Sequence, residues 1–288
     1  MFACNLFGID RQVYYRRIKR KSNKEFKAIE VVSMINQVRK TMPRLGGKKS
    51  YHLLMDDLKS MRIGRDKLFD ILRANHLLIQ PKRSYHVTTN SHHRFKKHQN
   101  LILDLEINRP NQVWVSDITY IGKREKPCYL SLVTDAYSKK IMGYYVANNM
   151  NTESSVKALN MAIKQRKNNK TPLIHHSDRG LQYCANAYQN TLNKNGIWPS
   201  MTQNSDPYEN AVAERINGIL KQEFMIDKYN LDLNIMKKIV KESVNIYNEL
   251  RPHYSNHMLT PNKMHLQSQI KMRTYKTKNT CINVFASV

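Results

Sequence analysis

The hydrophobic pattern of this chain changes character near residue 105. Ahead of that point, apolar residues recur at helical spacing within residues 29–40, 51–59 and 66–75. Asp10 stands where it can cap a short helix, and the glycine-bearing join at 61–64 is typical of helix-turn-helix units. The first third of the chain is therefore predicted to be helical.

Beyond residue 105 the pattern favours strands. Runs of β-branched and aromatic residues predict three successive strands at 113–121, 129–134 and 141–146. The later predicted elements are a helix at 151–167, a strand at 173–176, a helix at 184–194, a strand at 196–200 and a helix from about residue 209. The order β-β-β-α-β-α-β-α matches an RNase H-like α/β fold with a mixed sheet.

The charge of the chain indicates a class of partner. The sequence holds 48 Lys and Arg against 22 Asp and Glu, a net charge of +26. Residues 1–100 hold 23 basic and 7 acidic side chains, and residues 101–288 hold 25 and 15, so the helical third is the more basic part. A surplus of this size exceeds what solubility needs and implies a polyanion, for which nucleic acid is the obvious candidate.

Two further observations narrow the class of protein. The four cysteines are scattered with no Cys-x-x-Cys pair, which argues against a disulfide framework and against a thiolate zinc site. No window approaches about eighteen consecutive apolar residues, and the start of the chain is too soon polar for a secretory signal. We expect a soluble intracellular protein.

Three acidic residues stand in settings that suit metal-dependent chemistry. Asp117 lies within the first predicted strand among β-branched neighbours, an odd place for a charge unless a cation neutralises it. Asp178 follows a short apolar strand, at the sheet edge where ligand sites gather, and Glu214 falls in the last predicted helix of the core. An Asx turn at Asp178 and a solvated helix position at Glu214 are the structural alternatives.

Carboxylates that fold into one pocket repel one another, and divalent cations with a preference for oxygen ligands relieve that repulsion. We therefore predict a site for Mg²⁺ or Mn²⁺ with two ions, about 4 Å apart, that serves phosphoryl transfer.

Other residues close to these carboxylates in the sequence are candidates for binding DNA or for orienting the metal ligands. Lys221 follows Glu214 by seven residues and so shares its helix face, where it can hold a phosphate or remain a solvated lysine. His176 and Asn210 are candidates for orienting the metal ligands, and Arg215 for the same task and for contacting DNA.

Basic residues of the predicted helix-turn-helix unit form a second candidate site. Arg65, Lys67 and Arg73 would lie near DNA if the second helix of the unit enters the major groove. A small helical bundle with a solvated basic face is the alternative.

The segments around the three carboxylates resemble a known family. They read Trp-Val-Ser-Asp-Ile-Thr-Tyr at 114–120, His-Ser-Asp-Arg-Gly-Leu-Gln-Tyr at 176–183 and Asp-Pro-Tyr-Glu-Asn-Ala-Val-Ala-Glu-Arg at 206–215. These segments closely resemble those of the IS3-family insertion-sequence transposases, in particular the second-frame product with its retroviral-integrase-like core. The helical pair at 47–75 is similar to the helix-turn-helix segment of that family, and the stretch at 247–253 is similar to its C-terminal signature.

The resemblance implies a role for each matching residue. Asp117, Asp178 and Glu214 take the positions of the DDE metal ligands, and the spacing between the last two is that of the family. Lys221 takes the position of a basic residue beside substrate DNA. The implied activity is metal-dependent cleavage and transfer of DNA strands at the ends of a mobile element.

The same resemblance implies partners and a location. We expect double-stranded DNA in the form of terminal repeats and target, a homo-oligomer assembled on DNA, an upstream-frame DNA-binding product, and a cytoplasmic, nucleoid-associated protein. A non-catalytic DNA-binding repressor and an RNase H-like nuclease that does not join strands are the alternatives.

Together these observations divide the chain into four segments. We predict a basic helix-turn-helix-like DNA-binding region at 1–80, a basic linker at 81–104, an RNase H-like catalytic core at 105–265 and a basic tail at 266–288.

Overall fold

The computed structural model describes residues 8–80, 98–122, 127–166, 171–203, 210–228 and 231–273. Most of the predicted linker, at 81–97, lies outside these ranges, as do residues 204–209 ahead of the last helix of the core and residues 274–288 of the predicted tail.

A five-stranded mixed sheet forms the centre of the fold. Its strands are β1 (Val113–Ile121), β2 (Cys128–Asp135), β3 (Ile141–Ala147), β4 (Leu173–Ser177) and β5 (Ile197–Met201). The order across the sheet is β3-β2-β1-β4-β5. The first three strands form an antiparallel meander, whereas β4 and β5 run parallel to β1 because a helical connection precedes each of them. The predicted RNase H-like fold is confirmed.

Helices cover both faces of this sheet. The helices on one face are α5 (Thr152–Gln165), α6 (Leu181–Cys184) and α7 (Asn186–Lys194), and those on the other are α8 (Ala211–Gln222) and α9 (Leu233–Glu249). Successive strand residues point to opposite faces, so Leu130 and Leu132 of β2 join the core under α8 and α9, and Val133 joins the core under α5. A 3₁₀ turn (Tyr254–Asn256) and α10 (Pro261–His265) follow α9.

Gly143 explains how closely α5 lies on β3. A β carbon at this position would stand 2.0 Å from the carbonyl oxygen of Ala158 and 2.8 Å from the amide nitrogen of Ala162. Both atoms belong to the α5 backbone, which cannot move aside as a flexible side chain could. Only glycine therefore permits this approach of helix to strand.

The basic N-terminal region is helical and has a core of its own. Its helices are α1 (Arg11–Thr41), α2 (Gly47–Leu53), α3 (Met55–Ser60) and α4 (Arg65–Ala74). The buried residues of this core are Val31, Ile35, Leu58, Ile63, Leu68 and Leu72. The residues that follow α1 reach the main core, where Met42 and Leu45 are buried in the same cluster as residues of α8 and α9. The helical region is therefore packed directly against the sheet domain.

Some predicted helix boundaries were wrong, while all five strands are confirmed. The short helix capped by Asp10 and the helix at 29–40 are one continuous helix, α1, because no Gly or Pro interrupts residues 11–41. The helix predicted at 51–59 begins earlier and is broken at Leu54 into α2 and α3. The helix predicted at 184–194 is preceded by a separate turn of helix, α6, because Ala185 is extended.

In the part of the chain that the structure describes, no helix combines the length and the apolar character needed to cross a membrane.

Candidate active site

Asp117 and Asp178 lie side by side where the two neighbouring inner strands β1 and β4 bring them together. β1 pairs in parallel with β4, and Ser116 is the register partner of Ser177. Asp117 is the next residue of β1 and Asp178 is the first residue after β4, so the two stand next to each other where β4 ends. Asp178 Oδ1 accepts the N–H of Gly180 at 3.0 Å, an Asx-type turn that ends the strand and leaves the aspartate at the sheet edge.

Burial and like charge act together on Asp117. Burial, then the charge of Asp178 and least of all the charge of Glu214 raise the pKa of Asp117 to about 7. Two hydrogen bonds oppose this rise, from the N–H of Ile118 at 2.8 Å and from Asn217 Nδ2 at 2.7 Å. A carboxylate whose pKa lies near neutrality stands in a pocket that is short of positive charge.

Glu214 stands farther from the aspartate pair. It is carried by α8, which packs across β1 and β2. Its side chain is exposed, and its partial burial raises its pKa. Within the described ranges, no three His, Cys, Asp or Glu side chains are grouped so that they could hold a metal ion. The structure thus brings two of the three predicted ligands together, and the cluster of three stays a prediction.

Asn217 is a site residue that the sequence reasoning missed. It is buried on α8, and its amide is the group that donates to Asp117 Oδ2. It lies three residues after Glu214 and four before Lys221, so the helical spacing that links those two residues passes through it. That spacing was the available signal, but an uncharged amide in a search for metal ligands gave no reason to select it.

Lys221 lies on the Asp117 side of α8. Its Nζ is 4.4 Å from the centroid of the Tyr120 ring in β1. Burial, the larger influence, lowers the pKa of Lys221, and the charge of Asp117 raises it. Its ammonium group is therefore within electrostatic reach of Asp117.

The two residues predicted to orient the ligands are buried in the framework of the site. His176 Nδ1 lies 2.9 Å from Ser200 Oγ, a contact that joins β4 to β5. Asn210 Nδ2 donates to the carbonyl oxygen of Ser116 at 3.1 Å. Asn210 thereby ties the start of α8 to the residue immediately before Asp117.

Ser116, the residue before Asp117, belongs to a buried hydrogen-bonded group with His175 and Tyr188. His175 Nε2 is 2.7 Å from Ser116 Oγ and 2.8 Å from Tyr188 Oη. Burial, and then the neighbouring His176, lower the pKa of His175 to about 3, so the imidazole is neutral at physiological pH. The sequence reasoning missed this group too, because its members come from β1, β4 and α7.

The other residues predicted to contact DNA are exposed. Arg215 is exposed, and its charge reaches Lys49 and His253, whose pKa values are lowered mainly by burial. Arg65, Lys67 and Arg73 are exposed on α4, where Arg65 pairs with Asp66 at 2.8 Å and Arg73 pairs with Asp70 at 2.7 Å. Their contact with DNA stays a prediction.

The chemistry of the aspartate pair fits a hard divalent cation. Asp117 and Asp178 offer carboxylate oxygens from adjacent strands, which are the ligands that Mg²⁺ and Mn²⁺ prefer. A divalent charge would also relieve the repulsion that raises the pKa of Asp117.

Family models and individual proteins that are similar to this chain belong to integrases or insertion sequences. Two models of the integrase core domain match this chain, one over residues 107–207 and one over residues 195–261. The chain is similar to the insertion element IS600 uncharacterized 31 kDa protein of Shigella sonnei, with 32% identity over 257 residues, which cover 87% of this chain and 92% of that protein. It is also similar to transposase InsF of insertion sequence IS3A from Escherichia coli K12, with 30% identity over 184 residues, 63% of this chain and 64% of InsF.

Among solved structures, the chain resembles the HTLV-2 integrase catalytic core domain in complex with magnesium. The TM-score is 0.44 at 19% identity, and the match covers 55% of this chain and 97% of that one. The family assignment depends on the sequence relatives, since one of them matches nearly its whole length. The chain belongs to the IS3 family of insertion-sequence transposases, which are DDE-type polynucleotidyl transferases.

Proposed function

We propose that this chain uses Asp117, Asp178 and Glu214 to hold two Mg²⁺ or Mn²⁺ ions, and that it cleaves and joins DNA strands at the ends of an insertion sequence. The observation that carries the proposal is the adjacency of Asp117, in β1, and Asp178, which directly follows the parallel strand β4. The raised pKa of Asp117, caused by burial and then by the charge of Asp178, supports a cation at this point.

Each residue receives a part that follows from its contacts. Asp117 and Asp178 bind metal, and Asn217 holds the Asp117 carboxylate in one orientation through its 2.7 Å hydrogen bond. Glu214 completes the ligand set from α8, and Lys221, seven residues later on the same helix, holds a phosphate of the DNA.

The bound ions would activate a water molecule or a 3′-hydroxyl and stabilise the leaving oxygen in an in-line displacement. The protein contributes rigidity to this site. Asp117 belongs to β1 and Asp178 directly follows β4, and the buried group of Ser116, His175 and Tyr188 supports β1 at the residue before Asp117.

The proposed partner is double-stranded DNA, as terminal repeats and as target. Support comes from the net charge of +26 and from the exposed basic side chains of α4, which include Arg65, Lys67 and Arg73. Assembly of several copies on paired ends and cooperation with an upstream-frame DNA-binding product belong to the same proposal. If the purified 288-residue chain recognises element ends unaided, the need for the upstream product is refuted.

A strand-transfer assay tests the proposed activity. The wild-type chain is incubated with Mg²⁺ and duplexes that carry the terminal repeats flanking its gene, with Asp117→Asn and Glu214→Gln as matched variants. Joined products that both variants lose support the proposal. Nicked products alone would indicate a nuclease, and binding without any cleavage would indicate a repressor.

A further inference from the structure

The hydroxyl of Tyr183 is buried without a hydrogen bond. Tyr183 lies in α6, directly after the segment that carries Asp178, and its side chain is only 2% exposed. Among the residues that the structure describes, its Oη has no hydrogen-bond partner. Buried hydroxyls are nearly always bonded, because an unmade bond leaves the cost of desolvation without compensation.

Tyr188, in the same core, differs from Tyr183 because its hydroxyl has a hydrogen-bond partner. Tyr188 is also buried, and its Oη lies 2.8 Å from His175 Nε2. The ring of Tyr183 packs edge-on against that of Tyr188, with 5.3 Å between centroids. The Tyr183 ring therefore belongs to the same aromatic group, while its hydroxyl is left out of the hydrogen bonds that this group makes.

The surroundings of Tyr183 place its ring near Asp178. Its N–H donates to the carbonyl oxygen of Gly180 at 3.1 Å. A β carbon at Gly180 would lie 3.0 Å from Asp178 Oδ1 and 3.6 Å from Tyr183 Cδ2, so the carboxylate and the ring flank the same small space. Burial, Tyr188 and then the charges of Asp117 and Asp178 raise the pKa of Tyr183 well above its usual range, so the hydroxyl keeps its proton.

We propose that Tyr183 is a positioning residue of the active site, whose hydroxyl donates a hydrogen bond to an oxygen that enters with the ligand. That oxygen belongs either to the water shell of the divalent metal or to a phosphate of the DNA. The inference rests on the proposed metal-dependent DNA chemistry. It explains why a buried hydroxyl in the group that packs near Asp178 has no partner among the described residues of the protein: the partner is supplied by the ligand.

The test compares Tyr183→Phe with Tyr188→Phe in the full chain. Each substitution removes one hydroxyl and keeps the ring. In EDTA, we expect Tyr183→Phe to raise the melting temperature by about 2 to 4 °C, because it removes an unsatisfied buried group. Tyr188→Phe should lower the melting temperature, because it breaks the bond with His175.

Mn²⁺-dependent nicking of supercoiled plasmid then measures chemistry without requiring the terminal-repeat sequence. We expect Tyr183→Phe to nick about 10- to 100-fold more slowly despite its greater stability. Gain of stability together with loss of rate is an outcome that a purely structural role does not produce.

Titration of the melting temperature with Mn²⁺ alone distinguishes the two sources of oxygen. A smaller Mn²⁺-induced rise in Tyr183→Phe than in the wild type assigns the oxygen to metal-bound water. A rise equal to that of the wild type, with a higher KM for plasmid, assigns it to phosphate.

Two results would overturn the inference. One is a Tyr183→Phe variant that melts below the wild type in EDTA, since the hydroxyl would then be bonded inside the protein. The other is wild-type nicking together with a wild-type response to Mn²⁺. If the wild type nicks neither the plasmid nor the terminal-repeat duplexes, the proposed function fails, and the melting data in EDTA and Mn²⁺ still decide the role of Tyr183.

Discussion

The Glu223 carboxylate, one residue beyond α8, joins three parts of the chain. Its Oε1 lies 2.8 Å from Lys49 Nζ and 2.8 Å from Arg251 Nη2, and its Oε2 accepts from Arg251 Nε at 2.9 Å. The side chain of Arg251 is 2% exposed, and those of Lys49 and Glu223 are each 18% exposed. One carboxylate thus neutralises two largely buried cations, one from the basic helical region and one from the segment after α9.

Glu223→Gln keeps the size of the side chain and removes this charge. Breaking a buried ion pair from one side costs about 3 to 5 kcal/mol, because an unpaired charge is left behind. Here two cations lose their partner, so we expect a loss in the free energy of unfolding within that range at pH 7. Urea unfolding followed by circular dichroism measures it.

A double-mutant cycle with Lys49→Met tests the physical reason. In the wild type, Lys49→Met should cost at most about 1 kcal/mol, because Glu223 keeps its bidentate bond to Arg251. In the Glu223→Gln background, Lys49→Met should instead increase stability, since it removes a buried cation that no longer has a partner. If the two losses simply add to within about 0.5 kcal/mol, the reasoning is wrong.

Four other predictions address the rest of the molecule. Burial, and then the charge of Arg251, lower the pKa of Lys49 to about 8, against 10.5 ordinarily. Between these pH values the unfolded chain binds more protons, so stability should rise with pH, and the rise should be smaller in Lys49→Met than in wild type. Asn217→Ala should slow plasmid nicking by about 10- to 100-fold and lower the melting temperature, because it breaks a buried hydrogen bond; a wild-type rate would show that the bond to Asp117 is not used. Gly143→Ala should destabilise the fold by about 1 to 3 kcal/mol in urea unfolding. The control Gly218→Ala, whose β carbon meets nothing within 4 Å, should be neutral or stabilising. Equal effects of the two substitutions would contradict the close approach of α5 to β3. The affinity for duplex DNA, measured by fluorescence anisotropy, should fall by about a thousandfold or more between 50 and 200 mM salt, and affinity independent of salt would exclude binding through phosphates.

The aspartate pair could be predicted because its geometry follows from local patterns. The apolar runs identified β1 and β4 as strands, and Asp117 and Asp178 hold defined places within and after them. When two parallel strands pair in a sheet, residues in corresponding places become neighbours without any further information. Glu214 is different, because the position of a helix relative to a sheet depends on packing, which periodicity does not describe.

The limits of pattern reading are equally plain in α1. Helical spacing at 29–40 was recognised, but residues 11–28 have no apolar face, and only a short helix at 11–17 was predicted there. Much of this stretch is exposed, including Tyr15 and Phe26. Amphipathic spacing detects helices that bury one side, and it misses a helix that extends into solvent.

The sequence by itself determined the strands, their order, the basic character of the chain and the family to which it belongs, because these depend on spacing, composition and short segments of residues. Only the tertiary structure decided that Asn217 bonds to Asp117, that the Tyr183 hydroxyl is buried without a hydrogen bond to any described residue, and that Glu223 joins Lys49 to Arg251. The bonds of Asn217 and Glu223 connect residues that are far apart in the chain. They arise from the way helices and sheet pack together, and no local pattern of hydrophobic and polar residues encodes that packing.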